Sequence, residues 1–376
     1  TMSVKRSHSL SLGVVGLPNV GKSTIFNAIT KLSVPAANFP FCTIDKNVGV
    51  VGIPDERLKR MAEHFKAEKV VPSAMTFVDI AGLVRWAWKW EWLGNKFLSN
   101  IREVDAIVQV LRYFKDADVV YVEWEVNLMR DIDIINSELI FSDLEKIERI
   151  LPWIKKKMQT TWDKFLKREV EILELIQQTL EGNKLANTIV DQLDEQDMKL
   201  IRSYWFLTIK PFVYAINVWQ DDIPNKDQIQ KELQEKLQSP VVIVCAKLES
   251  EMMGMEKDEK IQFVSELLEI ENIENIPTLD DLITLAFDTV GLMYYFTTGE
   301  KETRAWTIKK WFTAPQAAGV IHTDFEKWFI KAEVVSYVDF VNYGWWNKAK
   351  ENWKLRLEWK DYVVKDWDII VFKFNV

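Results

Sequence analysis

Gly16-Leu17-Pro18-Asn19-Val20-Gly21-Lys22-Ser23 is the stretch that decides the fold of this chain. It fits G-x-x-x-x-G-K-S, and its setting matters as much as its letters. Before it, Leu12–Val15 is a short apolar run that reads as a buried strand; after it, Ser23–Thr30 carries Ile25, Phe26 and Ile29 at helical spacing. A strand, a glycine loop and a helix in that order make a cradle for phosphates. The glycines let the backbone curl until successive N–H groups point at one place. The helix N-terminus adds positive potential there. Lys22 is expected to reach the β- and γ-phosphates, and the Ser23 hydroxyl to be a Mg²⁺ ligand.

Further along, Asp79-Ile80-Ala81-Gly82 closes the apolar run Met75–Ile80. A carboxylate at a strand end can hold Mg²⁺ through water, and the Gly82 N–H can sense a γ-phosphate. Thr43 falls between the first helix and the second strand, where it either completes the metal shell or is an ordinary loop threonine. Base recognition is expected at later strand ends, at Asn217-Val218-Trp219-Gln220 and at Cys245-Ala246-Lys247. GTPases carry an aspartate at the place of Gln220, whose carboxylate accepts from guanine. An amide both donates and accepts. Guanine selection should therefore weaken, and adenine becomes admissible. Leu83 stands where many GTPases carry a water-orienting glutamine, and it cannot do that work. Asn19 is read two ways, as a ligand for a monovalent cation such as K⁺ or as a turn-stabilising asparagine.

The rest of the chain extends this reading. Asn47–Ile53, Asp105–Leu111, Lys210–Val218 and Pro240–Ala246 are further strand candidates alternating with helical stretches. The fold class is α/β, a P-loop NTPase domain with a mostly parallel sheet. The alternation breaks over residues 127–204, where Leu166, Val170 and Leu173 follow Trp162 along one helical face, with Phe165, Ile172 and Ile176 beside them. That stretch is expected to be an inserted helical hairpin. The expected boundaries are 11–126 and 205–292 for the two parts of the NTPase domain, and 293–376 for a small β-rich domain built from segments such as Arg304–Ile308, Phe329–Val335, Tyr362–Val364 and Ile369–Phe374.

The 376 residues suit two or three domains, and 48% apolar with 28% charged residues is globular composition. No apolar run approaches the length of a membrane span, and no basic start leads into an apolar core, so neither membrane nor secretory leader is expected. Two cysteines, Cys42 and Cys245, exclude a disulfide framework and suit a reducing cytoplasm. A net charge of -8 argues against free DNA as a partner. Residues 293–376 hold 13 Lys+Arg against 11 Asp+Glu, a local net of +2, which makes that domain the better candidate for an anionic partner. The three histidines, His8, His64 and His322, lie too far apart in the chain to suggest a site.

Taken together, Gly16–Thr24, Asn38–Ile44, Phe77–Val84, Leu93-Gly94-Asn95, Arg304-Ala305-Trp306-Thr307, Ala314–Gly319 and the closing Phe374-Asn375-Val376 resemble the YchF family, the Obg-like ATPases. The resemblance spans nearly the whole chain after the first ten residues. It implies an inserted coiled-coil domain, a C-terminal TGS domain of β-grasp type, a preference for ATP over GTP, and association with ribosomes and stress responses. By motif it implies that Asn19, Val20, Gly21, Lys22, Ser23 and Thr24 bind phosphates and that Ser23 and Thr43 bind Mg²⁺, and the residues themselves make Lys22 and Asn19 the candidates for the catalytic part. It also implies that Val218, beside Asn217, contacts the base while Cys245, Ala246 and Lys247 close the pocket. Gln220 departs from the family's usual glutamate; Leu83 agrees with the family. Two rival readings remain: a GTP-specific translation-type GTPase, and a non-hydrolysing module that docks on the ribosome under nucleotide control.

A second departure is compositional. Average usage of about 7% predicts roughly twice the 13 glycines present, while tryptophan reaches 17. Trp86, Trp90, Trp92, Trp124, Trp311, Trp328, Trp353, Trp359 and Trp367 stand where the family pattern leads us to expect glycine. Asp366-Trp367-Asp368 is the clearest case, since a turn before a last strand favours Asp-Gly with positive φ. Either these tryptophans are genuine, or the natural chain carries glycine there. Their occurrence in both the first part of the NTPase domain and the C-terminal domain favours glycine.

Overall fold

The computed structural model describes residues 10–32, 47–81, 90–114, 127–161, 163–270, 275–343 and 345–375. Its strands, in chain order, are β1 (Ser11–Val15), β2 (Val48–Gly52), β3 (Lys69–Val71), β4 (Ala74–Asp79), β5 (Ala106–Arg112), β6 (Phe212–Asn217), β7 (Val241–Val244), β8 (Leu292–Thr297), β9 (Glu302–Lys309), β10 (Phe329–Ser336), β11 (Arg356–Glu358) and β12 (Asp368–Phe374). Two compact units account for the chain: Ser11–Ala28 with Phe77–Leu282, and Ile29–Thr76 with Ile283–Val376 and the first ten residues.

In the first unit β4, β1, β5, β6 and β7 lie side by side in that order. β1 runs parallel to β5, β5 to β6 and β6 to β7, with Val14 opposite Val108, Arg112 opposite Asn217, and Asn217 opposite Val244. Every residue of β5, β6 and β7 is buried. Continuous apolar strands of this kind need cover on both faces, which is why they read as unbroken runs rather than alternating ones. Parallel register also brings their carboxyl ends to one edge, the place where open α/β sheets bind ligands.

The helical insertion consists of a long helix Leu128–Thr161, a second helix Lys164–Glu181, and a third, Glu195–Tyr204, before the chain re-enters the sheet at Phe212. Ile135, Leu139, Ile147 and Leu151 of the first helix and Leu166, Val170, Leu173 and Ile176 of the second are buried. Phe165, expected beside that face, is instead 79% exposed. The Asp163 side chain caps the second helix by accepting from Phe165 N, and that helix ends at Gly182. The insertion is anchored by Asp143, 1% exposed, which accepts from Leu207 N (3.0 Å), Thr208 N (2.8 Å) and Thr208 Oγ1 (2.7 Å). Three donors on one buried carboxylate offset its desolvation.

The second unit holds a mixed sheet in the order β11-β10-β12-β8-β9-β3. Its middle strands β12 and β8 are parallel, while β8–β9 and β10–β12 are antiparallel. The helix Ala314–Ile321 supplies Ala314, Ala317 and Ala318 to a core with Met293, Tyr295, Phe329, Val334 and Ile370. This is a β-grasp arrangement. Two details differ from the sequence expectation. Tyr362–Val364 contributes a single bridge, Thr313 to Val363, and the strand at this place is β11. β3 joins the far edge parallel to β9, a long-range pairing that no local pattern announces.

Candidate nucleotide site

The glycine loop leaves β1 and enters the helix Lys22–Lys31. Two of its residues take left-handed backbone, Asn19 at φ 63° and Gly21 at φ 92°. At Gly21 the glycine is required twice over, because a Cβ there would also sit 2.2 Å from Asn217 Nδ2. The close approach comes from hydrogen bonding. Asn217 donates from Nδ2 to Val20 O (3.0 Å) and accepts at Oδ1 from Ala246 N (3.0 Å). One buried asparagine thus ties the loop after β1 to the loop after β7, and its amide is spent on backbone.

The strand ends bring most of the expected residues together. Lys22 Nζ pairs with the Asp79 carboxylate at the end of β4, with the two side chains 12% and 24% exposed. Ser23 and Thr24 are exposed on the first turn of the helix. Gln220 opens a short 3-10 helix, and Lys247 Nζ donates to its Oε1 at 3.3 Å. Val218 and Cys245 do not face an open pocket: each is 1% exposed, and Val218 N donates to Val244 O at 2.9 Å. Burial pushes the Cys245 thiol up. Thr43, Gly82 and Leu83 lie outside the described residues.

Sequence reasoning missed a group at the centre of this edge. Arg112, the last residue of β5 and 1% exposed, donates from Nη1 to Asn19 O (3.4 Å) and from Nε to Phe114 O (3.1 Å), with its guanidinium 4.6 Å from the Phe114 ring centre. Phe114 lies 5.1 Å from Trp219, and Lys247 Nζ sits 4.7 Å from the Trp219 ring centre. A contiguous row thus runs from the phosphate loop to Gln220. The available signal was a lone arginine closing an otherwise buried strand, which costs too much to place there without partners.

The donor set around Lys22 suits a hard cation. A serine hydroxyl and a carboxylate are oxygen ligands, and Mg²⁺ is usually held by one or two such groups plus phosphates and water. No group of three or more His, Cys, Asp or Glu able to hold a metal occurs among the described residues. No described helix is long and apolar enough to cross a membrane.

Residues 11–151 match the MMR_HSR1 family model, described as 50S ribosome-binding GTPase. Residues 292–375 match the YchF-GTPase_C model, described as a protein of unknown function. The chain is similar to the ribosome-binding ATPase YchF of Pasteurella multocida, 49% identical over 366 residues that make up 97% of this chain and 99% of that one. It is 40% identical to Obg-like ATPase 1 of Danio rerio over 98% of this chain and 93% of the relative. The solved structure of the Schizosaccharomyces pombe YchF GTPase superposes with a TM-score of 0.82 at 36% identity, covering 97% of this chain and 98% of that chain. Likeness of this degree over both units, together with a phosphate cradle built on the edge of a parallel sheet, means that the chain belongs to the YchF family, the family of the Obg-like ATPases.

Proposed function

We propose that this chain is a Mg²⁺-dependent switch that binds and hydrolyses ATP and works with the ribosome in the cytoplasm, in translation or stress response. The observation that carries the reading is the curled loop with Lys22 and Asp79 paired at its mouth and Ser23 beside them. In this proposal Lys22 leaves Asp79 to meet the β- and γ-phosphates, and the freed carboxylate faces the metal through water. Ser23 and Thr43 are its hydroxyl ligands. A Mg²⁺ held there would supply charge neutralisation for the phosphates. Backbone N–H groups from Asn19 to Thr24 cradle the phosphates, and the Gly82 N–H senses the γ-phosphate. Asn19, with its left-handed backbone, holds the turn and is the place for a K⁺ ion should one take part. Residues 11–126 and 205–292 form the NTPase domain, 127–204 an insertion, and 293–376 a TGS domain; the last two report the nucleotide state to the ribosome.

Leu83 leaves the water to another group, so intrinsic turnover is slow, as suits a switch. Calorimetric titration of the wild type and Lys22→Ala with ATP and with GTP tests the reading. Loss of binding and turnover in Lys22→Ala and a preference for ATP in the wild type are expected. Unchanged ATP binding in the variant, or a tenfold preference for GTP, defeats it.

A further inference from the structure

We infer that Lys247 is a specificity-determining positioning residue, which holds Gln220 with its carbonyl turned away from the base so that only amide N–H donors remain to read it. This rests on the proposed ATP site and names what selects the purine there. Lysine carries three donors and no acceptor, so the Gln220 atom facing Lys247 Nζ at 3.3 Å must be the carbonyl oxygen, however the amide is drawn. The lysine is itself held: its ammonium lies 4.7 Å from the Trp219 ring centre. A cation over an indole face is favourable and limits where the ammonium can go. Trp219 in turn donates its backbone N–H to Asp222 Oδ2 (3.1 Å), and its ring packs against Phe114 with ring centres 5.1 Å apart. Gln220, half-buried at the start of its short helix, therefore has a partner for its oxygen already and an NH₂ group without one among its described hydrogen bonds.

Matching donors to edges gives the consequence. Guanine presents N1–H and N2–H₂, both donors, to the protein group opposite its Watson–Crick edge, and an amide NH₂ meets them donor to donor. Adenine presents the N1 acceptor, which that NH₂ satisfies. A site that leaves a polar group facing its like, once the bound base shuts out water, rejects the wrong base. The lysine thus fixes one face of an otherwise two-faced side chain, and the selectivity lost with the carboxylate returns with opposite sign.

The test uses the full-length chain with Lys247→Met, Gln220→Met and the double variant, each titrated with ATP and with GTP in the presence of Mg²⁺. Lys247→Met keeps a long stem over Trp219 while removing the donor. It should narrow the ATP-over-GTP preference about tenfold, because Gln220 can then turn its carbonyl to guanine. Gln220→Met should narrow it comparably, and the double variant should add nothing further, since the lysine acts through the amide. Lys247 is exposed and Gln220 only half-buried, so neither change empties a core. An equal loss of ATP and GTP affinity in Lys247→Met would mean a plain charge effect on the triphosphate and overturns the inference, as does additivity in the double variant or an unchanged preference. A wild type that binds neither nucleotide defeats the proposed function itself and is seen before any variant is compared.

Discussion

Trp353 and Trp367 have φ of 59° and 66°, the left-handed region that L side chains adopt only at a cost. Both belong to the positions where glycine was expected from the sequence. Trp311, Trp328 and Trp359, from the same set, are 49%, 52% and 62% exposed, with most of a large apolar ring left in water. Trp205, at φ 55° on the end of the helix Glu195–Tyr204, belongs with them although the sequence did not single it out. Trp353 is 93% exposed, so Trp353→Gly relieves backbone strain while giving up almost no packing. We expect it to stabilise the chain by about 1 kcal/mol in urea unfolding. Trp367→Gly should gain less, because the Arg57 guanidinium lies 3.8 Å from the Trp367 ring centre and that contact is lost. The same logic explains what was legible at the phosphate loop. Gly21 declares itself in the sequence through the loop motif, and the structure adds that the Asn217 amide leaves no room for a Cβ. Arg112 could be suspected only from its cost.

Lys210 joins three elements at the neck of the helical insertion. Its ammonium donates to Arg102 O at 3.0 Å and to Val104 O, holding the last carbonyls of the helix Trp90–Glu103 at the point where the chain re-enters β6. Burial pushes it down to about 8, against the pull of Asp105 and Asp143. The unfolded chain binds this proton up to an ordinary lysine value of about 10.4. Between these two values the unfolded state holds more protons than the folded one, so the contribution of Lys210 to stability rises with pH across that window. Stability of the wild type relative to Lys210→Met should therefore climb by up to about 3 kcal/mol from pH 8 to above pH 10, read from urea midpoints. No gain across the window would mean that the ammonium is better solvated than its contacts suggest. The elements themselves were readable from their periods: the buried runs of β5, β6 and β7 and the amphipathic helix Lys164–Glu181 announce themselves. β11 and β3 did not, because three residues are too few to show a period.

Across the whole molecule, the nine tryptophans at expected glycine positions fall in two separate stretches, four between Trp86 and Trp124 and five between Trp311 and Trp367. A single local adaptation would not reach both stretches, and the left-handed backbone at Trp353 and Trp367 fits glycine in the natural chain. Intact mass of the protein isolated from its source should then fall below that of the tryptophan-bearing chain by whole Trp-to-Gly differences, and an unshifted mass sinks that view. Sequence by itself determined the phosphate loop, the α/β class and the order of elements along the chain, because loop chemistry and hydrophobic period are properties of neighbouring residues. It also named Gln220 and Lys247 as candidates for the site. Only tertiary structure decided that Lys247 occupies the Gln220 carbonyl, that Asn217 spends its amide on two loops, that Arg112 backs the phosphate loop, and that β3 pairs with β9. Those contacts join residues tens to hundreds of positions apart, and nothing in a local pattern encodes which distant partner a buried polar group will find.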